Sequence, residues 1–221
     1  MPRRLLPLVE GQVYHVFNRG IDHRPTFDDK LELKRALASI DYYRFVSQPL
    51  KFSKFLKLSG AERNKLEVKF KTGPKLIDIL SFCLMPNHFH FLLRQVSDKG
   101  ISKFLSNFQN SYTRYFNTKN ERIGHLFLGQ FKAVLIETDE QLLHVSRYIH
   151  LNPITSYIVK DFNSLLKYPW SSLPEYIKEE SFCETDTILS FFKKREDYTD
   201  FLKDQVDYQR ELSKIKHLVL E

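Results

Sequence analysis

The alternation of apolar and polar positions divides the first three quarters of the chain into short strands and amphipathic helices. Residues 12–18, Gln-Val-Tyr-His-Val-Phe-Asn, are β-prone and stop at Arg19-Gly20, a turn signal. Behind Asp28-Asp29, the residues Leu31, Leu33, Ala36, Leu37, Ile40 and Tyr43 recur at helical spacing, which predicts a helix over 28–45 with an acidic first turn. Residues 76–85 are almost continuously apolar and read as a buried strand; Pro86-Asn87 turns the chain, and 88–94 return as the second strand of a hairpin. Phe104, Leu105, Phe108, Tyr112, Tyr115 and Phe116 predict a helix over 101–117, and residues 126–136 a fourth strand. Thr138, with Gln141 three residues on, resembles a capping box opening a helix through Leu142, Leu143, Val145, Ile149 and Leu151. Pro153 disfavours an α conformation at Asn152, so that helix is expected to end or kink there.

The resulting order is β-α-β-β-α-β-α. Its first six elements are the split βαβ pattern, so the fold class expected is α+β. This is a ferredoxin-like (RRM-like) βαββαβ antiparallel sheet with helices on one face. After Tyr168-Pro169-Trp170 the composition shifts, and 184–214 read as two more helices. We therefore expect a main domain over 1–175, interrupted by a basic insertion at 47–75, and a C-terminal helical extension over 176–221.

Composition sharpens this. The 221 residues are 42% hydrophobic and carry a net charge of +7, enough apolar content for a real core. Residues 184–221 hold seven basic and nine acidic side chains, which leaves +9 on 1–183. Residues 51–75 alone hold eight cations against Glu62 and Glu67 and read as a basic loop, partly helical, or as a solvated linker. Such an excess favours a polyanionic partner over an ordinary lysine-rich surface only weakly. No apolar run reaches the ~18 residues of a membrane span, and the N-terminal Met1-Pro2-Arg3-Arg4-Leu5-Leu6-Pro7-Leu8 has no apolar stretch long enough for a secretory signal. The two cysteines, Cys83 and Cys183, match neither a disulfide framework nor a zinc ribbon. A cytoplasmic location is the expectation. There is no glycine-rich phosphate cradle of the GxGxxG or Walker kind.

The sharpest chemical feature is His88-Phe89-His90. On a strand, residues i and i+2 share a face, so two imidazoles project together and can chelate one divalent ion, although the same pattern also arises from two ordinary histidines. Tyr148 and Asn152 are i and i+4 on the last helix, neighbours about 6 Å apart at Cβ. A carboxamide oxygen there can serve as a third ligand beside a phenol; the plain alternative is a half-buried helix tyrosine. Tyr14 and Asn18 repeat the spacing but lie on a strand, ~13 Å apart, and cannot share an ion.

Three stretches taken together carry a resemblance: Met85-Pro86-Asn87-His88-Phe89-His90, Gly124-His125-Leu126-Phe127-Leu128-Gly129-Gln130-Phe131-Lys132 and Tyr148-Ile149-His150-Leu151-Asn152-Pro153. The chain resembles the single-tyrosine HUH transposases, and within them the REP-associated tyrosine transposases, over roughly residues 12–175. Tyr14-His15-Val16-Phe17-Asn18-Arg19-Gly20 also fits the opening strand of that family. The resemblance implies an enzyme that cuts and joins single-stranded or hairpin DNA. It implies His88, His90 and Asn152 as ligands of a magnesium or manganese ion and Tyr148 as the nucleophile. It also implies a covalent link to a 5′ phosphate, and action as a monomer or homodimer. Insertion-sequence relatives usually carry Gln where Asn152 stands; the REP-associated branch carries Asn. Residue types alone leave zinc open. Arg19, Arg24, Arg122 and Lys132 flank the expected sheet ends and are candidate phosphate contacts. His144, one turn before Tyr148, is a candidate for supporting the site. Two rivals stand beside this reading: a non-catalytic DNA- or RNA-binding regulator on the same scaffold, and a zinc-dependent hydrolase.

Overall fold

The computed structural model describes residues 7–178 and 182–206. Residues 207–214 of the expected tail helices, and most of the N-terminal octapeptide, lie outside the described residues.

The expected elements form in the expected order. Strand β1 spans Val13–Arg19, helix α1 Lys30–Tyr43, α2 Phe52–Phe55, α3 Gly60–Lys71, and the hairpin is β2 Ile77–Met85 with β3 His88–Gln95. Then follow α4 Gly100–Lys119, β4 Lys132–Leu135, α5 Asp139–Thr155, α6 Phe162–Leu166, α7 Leu173–Ile177, α8 Asp186–Leu189 and α9 Arg195–Lys203. The protein is α+β, with a four-stranded antiparallel sheet in the order β2-β3-β1-β4.

The chain divides into two compact units. The first takes the residues up to Asp78, Pro86–His88 and Leu93–Leu135; the second takes Ile79–Met85, Phe89–Leu92 and the residues from Ile136 on. In the first unit β1 alternates as a half-buried strand should: Tyr14, Val16 and Asn18 are buried, while His15, Phe17 and Arg19 face the other way. Helices α1 and α4 pack together, burying Ala36 and Ile40 with Phe104, Phe108 and Tyr112. Gly100 opens α4 against the start of the hairpin, where a Cβ would stand 2.0 Å from the Leu76 carbonyl oxygen. Only glycine permits that approach.

The basic stretch is not a solvated linker. Phe52, Phe55 and Phe70 are buried around Tyr42, with ring centroids 4.9–5.1 Å from it. Two aromatics one turn apart on α2 and one on α3 anchor these helices on α1. In the second unit the hairpin segments bury Ile79, Phe82, Leu84, Phe89 and Phe91, and α5 buries Ile149, Leu151 and Ile154. Tyr198 and Leu202 of α9 are fully buried there too. Cys83 and Cys183 are free and buried.

Two expectations need correction. The fourth strand is four residues rather than eleven. The Asn18 amide donates to the Leu128 carbonyl at 3.0 Å and Leu128 donates its N–H to the Arg19 carbonyl at 3.0 Å, so 126–128 is tied to the end of β1 by isolated bonds, not a ladder. Helix α5 does not stop at Asn152 but runs through Pro153 to Thr155. The proline removes one N–H in the last turn, and burial of Leu151 and Ile154 on either side outweighs that loss.

Candidate functional site

The hairpin delivers the two histidines as its sequence requires. Phe89 and Phe91 are fully buried with centroids 5.0 Å apart, which turns His88 and His90 to the opposite face of β3. His88 is half-buried, and its Nδ1 lies 2.6 Å from Asn87 Oδ1. An amide oxygen only accepts, so Nδ1 carries the proton and the ring lone pair is directed to Nε2. His90 is buried.

Helix α5 presents Tyr148 to His90. Its N-terminus is capped by Thr138, whose hydroxyl accepts from the Gln141 N–H at 3.2 Å, and Gln141 reaches back to the Glu137 N–H at 2.9 Å. The reciprocal bond thus falls one residue earlier than in a strict capping box. Leu142, Ser146, Ile149 and Pro153 form the buried stripe, and Tyr148 and Asn152 share the face beside it. The Tyr148 ring meets His90 edge-on, at 5.4 Å between centroids and 86° between planes. Asn152 is buried, and its Nδ2 donates to the Tyr148 carbonyl at 3.1 Å. Engaging the nitrogen leaves the amide oxygen as the group suited to a cation. Burial raises the phenol of Tyr148 above its ordinary value, while a side-chain hydrogen bond from Asn152 works the other way and the neighbouring Cys83 adds to the rise. The resting phenol is protonated at neutral pH.

The donor set suits a divalent cation. Among the described residues no group of three or more His, Cys, Asp or Glu side chains gathers; the donor types expected from sequence are two imidazoles and an amide oxygen. Imidazole suits zinc and other transition metals, and an amide oxygen suits harder ions such as magnesium or manganese. By donor type these groups suit a divalent ion without choosing among metals.

His144 lies one turn before Tyr148, is exposed, and accepts from Arg147 Nη2 at 2.8 Å. The candidate phosphate contacts all belong to the first unit. Arg19 is exposed at the end of β1 and donates to the His23 ring at 2.9 Å, and Arg24 is exposed. Arg122 donates to Asn117 Oδ1 at 2.6 Å and to the His125 carbonyl at 3.2 Å, which fixes its fork at the mouth of the 122–128 loop. Lys132 pairs in register with Phe17 and lies 5.8 Å over its ring. The Ile21 N–H donates to the Leu126 carbonyl and the Gly20 N–H to the Asn87 carbonyl. These bonds join the loops that carry Arg19, Arg24 and Arg122 at one end of the sheet.

Burial lowers the pKa of two histidines that were not singled out from sequence as site residues. His150 is completely buried, with Nδ1 2.6 Å from the Tyr198 hydroxyl and Nε2 2.7 Å from Ser172 Oγ, and burial pulls it down to about 3. Its place on the apolar stripe, one turn after Ser146, was the available signal. His15 stacks on Phe17 at 4.9 Å, opposite Val134, and burial lowers it to about 4. No alternation rule distinguishes such a histidine from a solvated one.

The family described as "Transposase IS200 like" matches residues 42–152, half of the chain and a span that ends on Asn152. No curated protein matches. Among solved structures, a REP-associated tyrosine transposase bound to a REP hairpin is similar at 14% identity, covering 80% of this chain and 86% of that one with a TM-score of 0.54. A tRNA(His) guanylyltransferase from Saccharomyces cerevisiae reaches a TM-score of 0.40 at 14% identity, covering 85% and 80%. The first likeness is one of fold; the second falls too low to bear on it. With half its length matched, including the histidine pair, Tyr148 and Asn152, the chain belongs to the IS200-like transposase family.

Proposed function

We propose that this transposase is a metal-dependent single-stranded DNA endonuclease and strand transferase acting on hairpin-forming DNA, with Tyr148 as its nucleophile. The observation that carries the reading is the edge-on approach of Tyr148 to His90, with Asn152 one turn on. The strand order β2-β3-β1-β4, with α1 and α4 as the crossover helices, supports reading the fold as ferredoxin-like.

His88, His90 and Asn152 would hold the ion, magnesium or manganese. When bound, it would neutralise charge on a phosphate oxygen and favour the ionised phenol. Tyr148 Oη bonds to phosphorus as the bond to the 3′ oxygen breaks with its electron pair. The phenolic proton is lost, and the departing 3′ oxygen gains one. The phosphodiester energy is kept in the phosphotyrosine, so a second strand's 3′ hydroxyl can reverse the step and rejoin DNA. Arg19, Arg24, Arg122 and Lys132 would position the backbone. We further read residues 1–175 as the catalytic part and 176–221 as an extension added to it.

The test is a cleavage assay on single strands that fold into a hairpin. Nicking should require magnesium or manganese, stop with a chelator and vanish in the double variant His88→Ala, His90→Ala, which should still bind the strand. Binding with no nicking by the wild-type chain under either metal would favour the regulator reading instead.

A further inference from the structure

The first unit carries a concave surface on its helices, lined by none of the residues assigned above. It is a groove of about 770 Å³ bounded by α1, α4 and the α2 segment, lined by Arg35, Lys51, Phe52, Lys57, Arg114 and Tyr115 among others. No Asp or Glu lines it. Lys119, at one end, is already neutralised by Asp29 and by Glu32 at 2.7 Å. The other four cations make no ion pair among the described residues. Arg35 is the most constrained of them. Its guanidinium carbon lies 4.5 Å from the Phe52 ring centre and 5.1 Å from that of Tyr115, and its buried Nε has no hydrogen-bond partner. The two rings offset part of the cost of burying this cation but leave its charge without an anion among the described residues.

We infer that this groove binds the phosphodiester backbone of DNA outside the cleavage site. The chemistry matches: lysines and arginines without ion pairs track phosphates, and a guanidinium held against two aromatic rings, one of them the half-buried Tyr115, suits a sugar–base flank. Two of the cations, Lys51 and Lys57, come from the basic segment, whose Lys71 and Lys75 are paired with Asp41, Glu67 and Asp78 while these two make no ion pair among the described residues. The proposal rests on the reading that DNA is the substrate.

The test compares the wild-type chain with the triple variant Lys51→Gln, Lys57→Gln, Arg114→Gln, all exposed positions. Binding is titrated against salt for a single strand with and without a duplex stem. Removing three phosphate contacts should flatten the log–log salt slope by about 2 for a single strand and nearly 3 for a stem, and weaken binding at least about tenfold at 0.1 M salt. The substrate showing the larger change identifies which part of the DNA sits in the groove. Acetylation footprinting of the unmodified chain provides a readout independent of the variant's folding. DNA should protect Lys51 and Lys57 while exposed Lys193 stays reactive. Equal reactivity with and without DNA, or an unchanged slope in the variant, overturns the groove assignment. A wild-type chain that binds no DNA at all overturns the substrate reading instead.

Discussion

Tyr148 sits where burial holds its phenol protonated and Asn152 pulls it back toward ionisation, so the two residues act as a unit on α5. Asn152→Leu keeps the volume and removes the amide. Because even outer-shell losses around a metal cost 10–100-fold, cleavage should fall at least about tenfold and need more metal for half-maximal rate, measured as rate against magnesium concentration. His150 gives a prediction of another kind. Its folded value is about 3 against an unfolded value near 6.5, so the unfolded chain binds more protons between those limits. Stability should be complete above pH 6.5 and decline as pH falls toward 3, with a slope of up to about 1.4 kcal/mol per pH unit from this group. Thermal melts across pH 4–7 should show that slope reduced in His150→Gln. Removing one partner, Tyr198→Phe, strips the hydroxyl that contacts both His150 and Ser146 and should cost about 1–3 kcal/mol in denaturant titrations.

At the scale of elements, local sequence was a good guide where one pattern dominated. The β1 alternation, the continuously apolar β2 and the Asp29 and Thr138 helix starts are all in the chain order. It failed where a long-range bond decided the outcome. The Asn18 side chain takes the Leu128 carbonyl from 110 residues away, which no window of sequence contains. Pro153 argued for a helix end or kink at Asn152, and the helix continues three residues further, to Thr155, with Leu151 and Ile154 buried on either side of the proline. The basic stretch hid its aromatics among lysines, because Phe52, Phe55 and Phe70 converge only when α1 supplies Tyr42. Gly100 offers a direct check on how tightly these pieces meet. Gly100→Ala places a methyl against the Leu76 backbone, which cannot move aside as a side chain would. It should destabilise by at least about 1–3 kcal/mol in the same titrations.

For the whole molecule, the motifs of the candidate site were more legible than the part played by the tail. The HxH strand and the Tyr-x-x-x-Asn helix are both short periodic motifs, and the pairing of His90 with Tyr148 follows once each takes its element. The role of the tail was not legible, since amphipathic helices alone do not say what they cover. In the second unit α8 and α9 contribute Ile188, Tyr198 and Leu202, all fully buried, and Tyr198 completes the His150 network. A chain ended after Cys183 should therefore lose several side chains' worth of burial, about 1.5–3 kcal/mol each, and with it a cooperative melt at ordinary temperature. A truncated chain that melts like the full one would make 184–221 a true appendage.

The proposed chemistry turns on one covalent bond, between Tyr148 and a 5′ phosphate. Incubating the chain with a hairpin-containing single strand and magnesium or manganese, then separating under denaturing conditions and sequencing the modified peptide by mass spectrometry, reads it directly. The result expected is a 5′-phosphate-linked DNA adduct on Tyr148, absent in Tyr148→Phe although that variant still binds the strand. An adduct that persists in Tyr148→Phe, or nicking with no adduct at any tyrosine, would contradict it.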